Sequence, residues 1–450
     1  MFLLQGKLGQ EGWFQNQASW EAWIIWGSFL MMTGVILMLY IRKNRRMERK
    51  NQFVKQEAVE LKINRPPAQH PMVDTSACIG CGSCVDACPE GGVLGLLAGK
   101  ATIINGLRCV GHGKCAEACP VEALNIGLGD LSQREDIPTI GPDFQTTVEG
   151  LYIVGELGGL ALVKNAIKQG ADAIQAIARE AQPAHDRECH DIIVIGAGPA
   201  GLSAALAAKK AGLSCLILDQ QGPGGTILQY PRKKMMLTQP VEIPLHGWLK
   251  KPQYQKEELL GIWENIIQKQ QVQIETGVSL DNVVREGNRL QVVTSKGDYF
   301  AHRVILALGR RGTPRKLGAP GEEKPKVTYK LMDASAFQNE HLLVVGGGDS
   351  AVEAAIALAR QKGNKVTLSY RKHKFFRIKK RNLEHLEQAL AANLLDVQYN
   401  SNVTAIEDRL VHLKTENGPL EIANDYVFIF AGGIPPFGLL KKIGIGFGGT

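Results

Sequence analysis

Cysteine is nearly absent from most of this 450-residue sequence: seven of its nine cysteines lie between Cys78 and Cys119. That distribution excludes a secreted disulfide scaffold and points to a metal or cluster site in a reducing compartment. Aromatic residues are scarce at 6%, while glycine is generous at 50 residues, a balance that suits α/β folds with many phosphate-approaching turns. No Ser/His/Asp nucleophile set or paired-carboxylate site needs to be invoked. No nucleic-acid-binding motif accompanies the formal net charge of +8. Much of that excess sits behind one apolar stretch, so we read it as membrane topology. The length allows two or three domains.

The apolar stretch is Ala22 to Ile41, uncharged and long enough to cross a bilayer as one helix. Trp20, Trp23 and Trp26 at one end and Tyr40 at the other suit an interfacial aromatic belt. Arg42 to Lys50 carries six cations, against only Lys7 with Glu11 and Glu21 on the other side. Positive-inside bias therefore places the N-terminus outside and the rest in the cytoplasm, on a single-pass anchor of the inner membrane. The cations stand on the wrong side for a cleaved signal peptide. Residues 43 to about 63 read as a charged helical extension, ended by Pro66-Pro67.

The chemistry is organised around Asp191-Ile-Ile-Val-Ile-Gly196-Ala-Gly198-Pro-Ala-Gly201, a β-branched run ending in G-x-G-x-x-G before an alanine-rich helix. The three glycines allow a tight turn, a close backbone approach to a pyrophosphate, and close packing of helix on strand. Roughly eighteen residues on, a strand from Cys215 ends at Asp219, where an acid can hold an adenosine ribose. Gly222 to Thr226 is a further loop candidate beside the cofactor.

Two similar cysteine runs precede it. The first is Cys78-x-x-Cys81-x-x-Cys84-x-x-x-Cys88-Pro89; the second, from Cys109 through Cys115 to Cys119-Pro120, repeats the spacing with His112 where a second cysteine belongs. In such runs three thiolates hold one iron–sulfur core and the fourth reaches the other cluster. On that rule Cys78, Cys81, Cys84 and Cys119 hold one 4Fe-4S cluster, and Cys109, Cys115 and Cys88 hold a second. His112 either ligates iron there, which would tend to raise the potential, or stands aside from a three-cysteine 3Fe-4S or labile site. The pattern resembles the two-cluster bacterial ferredoxin module; a structural zinc site is the alternative.

The phrase Thr146-Thr-Val-Glu-Gly-Leu-Tyr-Ile-Val-Gly155-Glu156 resembles the last flavin-binding segment of thioredoxin-reductase-like flavoproteins. In that family it follows the nicotinamide domain; here it precedes the first glycine motif. The resemblance implies a circular permutation in which residues 137–182 complete the flavin domain, with Gly155 and Glu156 facing FAD. The family's usual acid there is Asp, one methylene shorter. A second unit, Leu342 to Ala351, contains Gly346, Gly348 and Ala351 as G-x-G-x-x-A, with a helix to Arg360 and a strand from Lys365 to Ser369. Tyr370-Arg371-Lys372 replaces the acid at that strand's end, and Arg377 and Lys379 to Arg381 add cations. Arginine there accommodates the 2′-phosphate of NADP, so NADP(H) is expected, with NAD as the alternative. The redox C-x-x-C of true thioredoxin reductases is missing, since Lys326 to Glu340 contains no cysteine. That is closer to the ferredoxin–NADP reductases of the same fold.

The expected fold class is α/β: two Rossmann-like domains preceded by a ferredoxin-like α+β module and one N-terminal transmembrane helix. The expected divisions are a short outer segment (1–21), the membrane helix (22–41), a basic juxtamembrane helix and linker (42–70) and the two-cluster domain (71–130). The permuted flavin segment (137–182), the main flavin part (190–312), the nicotinamide domain (313–430) and a return to the flavin domain (431–450) follow. The expected function is a membrane-anchored NAD(P)H oxidoreductase. It relays electrons between NADPH, FAD and the clusters, to or from a quinone, a ferredoxin-type protein or a membrane partner at the lipid bilayer. A disulfide reductase of thioredoxin or low-molecular-weight thiols and a membrane-tethered redox sensor or electron-carrier subunit are the alternatives. Binding to nucleic acid is not expected, and a homodimer is left open.

Overall fold

The computed structural model describes residues 11–61, 66, 69–129, 136–160, 162–180, 189–237 and 239–448. The first ten residues of the expected outer segment, Pro67 of the linker and the chain ends of several expected divisions lie outside the described residues.

The apolar span and its charged extension form one uninterrupted helix, Glu11–Glu60, which begins eleven residues before Ala22. Its apolar part is long and apolar enough to cross a bilayer by length and composition, and that part packs against nothing in the chain. No proline interrupts the passage from apolar to charged sequence, so the backbone ladder continues through it. The far end of this helix packs on the cysteine-rich module. Glu48 Oε1 accepts the Ala98 N–H at 2.8 Å, Asn51 Nδ2 donates to the Leu96 carbonyl at 3.3 Å, and Ala58 is buried.

The module is built from two small antiparallel pairs, His70–Val73 with Leu124–Gly127 and Leu94–Leu97 with Lys100–Ile103. Two one-turn helices, Ser83–Asp86 and Lys114–Glu117, each follow a cysteine-rich loop. Its small core consists of Val93, Leu94, Ala101, Ala123 and Leu124 together with the thiols themselves.

A seven-stranded sheet forms the next unit. Its order is Ile274–Thr276, Cys215–Asp219, His190–Ile195, Gly297–Leu306, Arg289–Thr294, Leu280–Glu286. The seventh strand, Leu151–Ile153, pairs in parallel with Gly297–Leu306 through Val304↔Leu151, Ile305↔Tyr152 and Leu306↔Ile153. Gly297–Leu306 also pairs in parallel with His190–Ile195, so the Tyr152 strand and the Ile192–Ile195 strand share one sheet. Both faces are covered, which is why these strands read as continuous β-branched runs rather than alternating ones. Ile192, Val194, Ile217 and Ile305 face one core with Tyr152. Ile193, Ile195, Leu218 and Val304 face the other with Leu151 and Ile153.

The helix Val163–Glu180 follows a 3-10 turn that Gly159 ends in the left-handed region at φ +89. It packs on Pro199–Lys210 closely enough that a Cβ on Gly170 would stand 2.1 Å from the Ala200 carbonyl oxygen. Buried Ser203 donates to the Ile167 carbonyl at 2.7 Å.

The second nucleotide-type unit is a parallel sheet ordered Val327–Thr328, Tyr426–Ile429, His341–Val345, Lys365–Ser369, Asp396–Gln398, with an antiparallel triplet, Asn402–Ile406, Leu410–Thr415 and Gly418–Ala423, beside it. Thr313–Pro314 and Gly433–Ile434 pair as the two chain crossings between the units. After the second crossing, Leu440, Ile443 and Ile445 join the core under the seven-stranded sheet, and Thr139 N–H donates to the Gly446 carbonyl at 2.9 Å.

Candidate functional site

Three places carry the candidate residues: the glycine turn of each sheet and the pair of cysteine cavities.

At the first turn Gly196 takes φ +110, which lets its backbone pass the Ala307 carbonyl. A Cβ on Gly201 would lie 1.9 Å from the Gly196 oxygen, so only glycine lets the helix Pro199–Lys210 sit this close to its strand. Gly198 caps that helix in extended backbone, leaving the first N–H groups turned toward the space above the strand ends. Asp219 lies at the end of the neighbouring strand, as expected. Its carboxylate also organises the turn, accepting the N–H groups of Ala197, Gln221 and Gly222 at 2.7 Å each. A carboxylate has about four lone-pair sites, so a ribose hydroxyl can still be accepted. The Gly222–Thr226 loop folds onto this turn: Gly224 N–H donates to the Ala197 carbonyl at 2.8 Å, and Gly225 lies against Gly198.

Gly155 and Glu156 follow the strand Leu151–Ile153 after Val154, in the 3-10 turn Gly155–Gly158. The surrounding protein pushes the Glu156 carboxyl above the usual carboxylate range, while the cations Arg310 and Arg311 pull the other way. Burial, then the nearby Glu156, raises the phenol of Tyr230. Arg311 Nη1 is buried with no hydrogen-bond partner among the described residues. An orphaned guanidinium nitrogen, an acid and a glycine-lined turn fit a large anionic cofactor with a hydrogen-bonding ring system. Arg311, Tyr230 and Gln169 were not singled out from the sequence; Gln169 Oε1 accepts the Gly155 N–H at 2.7 Å.

At the second turn, Gly346 and Gly348 flank Gly347, where a Cβ would lie 1.8 Å from the Tyr370 ring. Ala351 is fully buried in the helix Asp349–Ala359. Tyr370 stacks on Phe375 with ring centroids 4.8 Å apart, and Arg371 stands exposed at the end of the strand Lys365–Ser369. An exposed arginine at that strand end suits a 2′-phosphate.

The eight expected cluster residues divide into two cavities. One is lined by Cys78, Cys81, Cys84 and Cys119; the other by Cys88, Cys109, His112 and Cys115. The last cysteine of each run, Cys88 and Cys119, lines the other run's cavity. Among the described residues no three His, Cys, Asp or Glu side chains converge as ligands of a single metal ion would. Thiols spread around a cavity suit a multi-atom core better than zinc. Burial, then the neighbouring thiols, pushes Cys84 and Cys115 up to about 11. Thiolates gathered this way repel one another and need a cationic core between them.

Burial lowers His112, which keeps the imidazole neutral, the state that ligates metal. Its Nδ1 accepts the Lys114 N–H at 3.2 Å. The remaining cysteines are elsewhere: Cys189 is buried, and burial pushes the Cys215 thiol up to about 12.

The second cavity abuts the flavin-type unit. Gln69 N–H donates to the Gly159 carbonyl at 3.3 Å, its Nε2 donates to the Gly111 carbonyl at 2.7 Å, and its Oε1 accepts Asn165 Nδ2 at 3.0 Å. Gln239 Nε2 donates to the His112 carbonyl at 3.4 Å. The first cavity faces the other way, with Cys81 exposed and Ile79 63% exposed.

Two nucleotide-type sheets joined by paired crossings, with a module of clustered thiols, define a flavin- and nicotinamide-dependent oxidoreductase with an iron–sulfur domain. The chain belongs to the pyridine nucleotide-disulphide oxidoreductase family, which matches residues 193–448; residues 70–120 match the 4Fe-4S dicluster domain. It is 30% identical over 270 residues to the ferredoxin–NADP reductase of Ignicoccus hospitalis, covering 58% of this chain and 82% of that one. To the bacilliredoxin reductase of Bacillus subtilis it is 27% identical over 259 residues, covering 56% and 80%. The solved bacillithiol disulfide reductase of Staphylococcus aureus is similar at a TM-score of 0.51 and 25% identity, covering 57% of this chain and 80% of its own.

Proposed function

We propose that this chain is a membrane-anchored NADPH oxidoreductase that relays electrons through FAD and two iron–sulfur clusters to an acceptor at the bilayer. The observation that carries the reading is Gln69, which bonds at once to the second cysteine cavity and to the segment beside Glu156. The cavity holding Cys88, Cys109, His112 and Cys115 is then the flavin-side cluster, and the one holding Cys78, Cys81, Cys84 and Cys119 the outer one.

FAD would be held by Gly196, Gly198, Gly201, Asp219, Gly155 and Glu156, and NADP(H) by Gly346, Gly348, Ala351 and Arg371. Bound flavin supplies the exchange between two-electron hydride chemistry and the one-electron steps of clusters. The chain's own groups orient the flavin. Asp219 fixes the first turn, and Arg311 offers a donor to the flavin's polar edge. The pairing of Leu151–Ile153 with Gly297–Leu306 supports reading the chain as a circular permutation of that fold, with the family's last flavin segment moved ahead of the first glycine turn.

In this reading the helix Glu11–Glu60 is the anchor, and the cations from Arg42 to Lys50 support an N-terminus outside and catalytic domains in the cytoplasm. Ile41 and Glu48 are seven residues apart on it, about 10 Å. Glu48 is bonded to the Ala98 hairpin of the first cavity, so the outer cluster would lie close to the bilayer surface.

Anaerobic titration with NADPH should bleach the flavin and then grow cluster signals in EPR. Bleaching with no cluster signal would sink the relay. The likeness to bacilliredoxin and bacillithiol disulfide reductases favours a second reading, reduction of a low-molecular-weight disulfide. NADPH oxidation that depends on such a disulfide and survives loss of the clusters would establish it.

A further inference from the structure

One lysine joins the basic loop of the nicotinamide unit to the second cysteine cavity. Glu90 is 7% exposed and lines that cavity with Cys88, Cys109 and Cys115. Its carboxylate pairs with Lys379 Nζ at 3.1 Å. Lys379 ends the loop that begins with Arg371, and its main-chain N–H donates to Asp349 Oδ1 at 2.9 Å. Asp349 directly follows Gly348 in the second glycine turn. The loop is fixed elsewhere too, once to the module and twice to the long helix Glu11–Glu60. Asn105 Nδ2 donates to the Phe376 carbonyl at 3.2 Å, buried Phe376 packs with Ala58, and Lys374 pairs with Glu57. The segment that would select NADP over NAD is therefore docked on the iron–sulfur domain.

We propose that Glu90 and Lys379 are tuning residues through which a 2′-phosphorylated nucleotide lowers the reduction potential of the cluster held by Cys88, Cys109 and Cys115. The proposal rests on the cofactor assignment above and extends it. Reducing a cluster adds one negative charge beside the buried carboxylate of Glu90, and Lys379 offsets that repulsion. A 2′-phosphate on the loop brings a charge of about −2 to its cations. Lys379 can turn toward the phosphate or be neutralised where it stands. Either way Glu90 is less compensated, and the electron is harder to add. Linkage makes the effect reciprocal: the nucleotide binds more tightly while this cluster is oxidised.

The test is an EPR-monitored redox titration of the full-length protein in detergent, with and without adenosine 2′,5′-bisphosphate, which has the 2′-phosphate but no nicotinamide. One of the two cluster signals should move to lower potential, by the equivalent of about fivefold or more in affinity, and 5′-AMP should leave it in place. Lys379→Gln should abolish the response and Lys379→Arg keep it. Glu90→Gln should raise the starting potential and shrink the response, which tests the pair from the module side should Lys379→Gln not fold. If both signals titrate unmoved while the bisphosphate is bound, the linkage is overturned and the relay stands. Absence of any cluster signal, or failure of the bisphosphate to bind, overturns both.

Discussion

The two cysteine runs have nearly the same backbone and quite different neighbours. Gly80 and Gly111 both sit at φ +71, and Gly82 and Gly113, which precede the one-turn helices, at +84 and +86. Counterpart side chains then diverge: Cys81 against His112, Val121 against Glu90, Asp74 against Asn105. Gly80 abuts the Gly99 hairpin, which the long helix holds, whereas Gly111 abuts Gln69 and through it the flavin-type unit. Repetition of sequence thus sets the shape of each cavity, and the surroundings set what it faces. One cavity has an exposed cysteine and an apolar rim; the other has a histidine and a buried acid.

The largest effects should come from the thiols. Cys84→Ser should cost the outer cluster and Cys115→Ser the inner one, each removing about half of the iron. Cys119→Ser should behave like Cys84→Ser although it lies in the other run. Iron and sulfide content with EPR would show this, and a Cys119→Ser protein lacking the inner cluster would break the crossed assignment.

Next come the glycines. Left-handed backbone alone costs an alanine about 1–2 kcal/mol. A Cβ on Gly80 would lie 2.1 Å from the Gly99 oxygen and one on Gly111 2.0 Å from the Gln69 side chain, whereas one on Gly99 meets nothing. Gly80→Ala and Gly111→Ala should therefore lower thermal stability of the module more than Gly99→Ala. Equal losses would mean that the neighbours give way.

His112→Cys makes the two runs alike. It should lower the inner cluster's potential without loss of iron if His112 ligates a 4Fe-4S core, and add one iron if three cysteines hold 3Fe-4S. Redox titration and iron analysis separate these outcomes.

The smallest effect concerns acid. Hydrogen bonds from the Ser76 hydroxyl and the Ser76 and Ala77 N–H groups hold the Asp74 carboxyl below its ordinary value of 3.8. A depressed carboxyl contributes in full above its unfolded value, and the contribution fades as pH falls through the lower one. Asp74→Asn should remove that fading from the acid limb of the module's stability. Its counterpart Asn105 has no such dependence, so an unchanged acid limb would show that the turn carries no weight.

Much of this was legible from residue order. The spacing of Cys78 to Cys119 foretold which thiols share a cavity, because the crossing rule is a property of short loops. The strand from Lys365 to Ser369 and the helix after Gly346 follow from local periodicity and glycine punctuation. The start of the first helix at Glu11 was not legible, because only the apolar span from Ala22 and its charged extension carry a composition signal. Glu90, Gln69, Arg311 and Asn105 gave no local signal, since each acts through a partner far away in the chain.

The sequence by itself therefore determined the kinds of site: two glycine turns, two sets of thiols and one apolar span, each encoded within a few tens of residues. Tertiary structure alone decided their arrangement. It brought the Tyr152 strand into the sheet of Ile192–Ile195, turned the His112 cavity toward the flavin-type unit, and laid the Arg371–Lys379 loop on the iron–sulfur module. Contacts between residues distant along the chain depend on how whole sheets and helices bury their faces, and no short stretch of sequence records that.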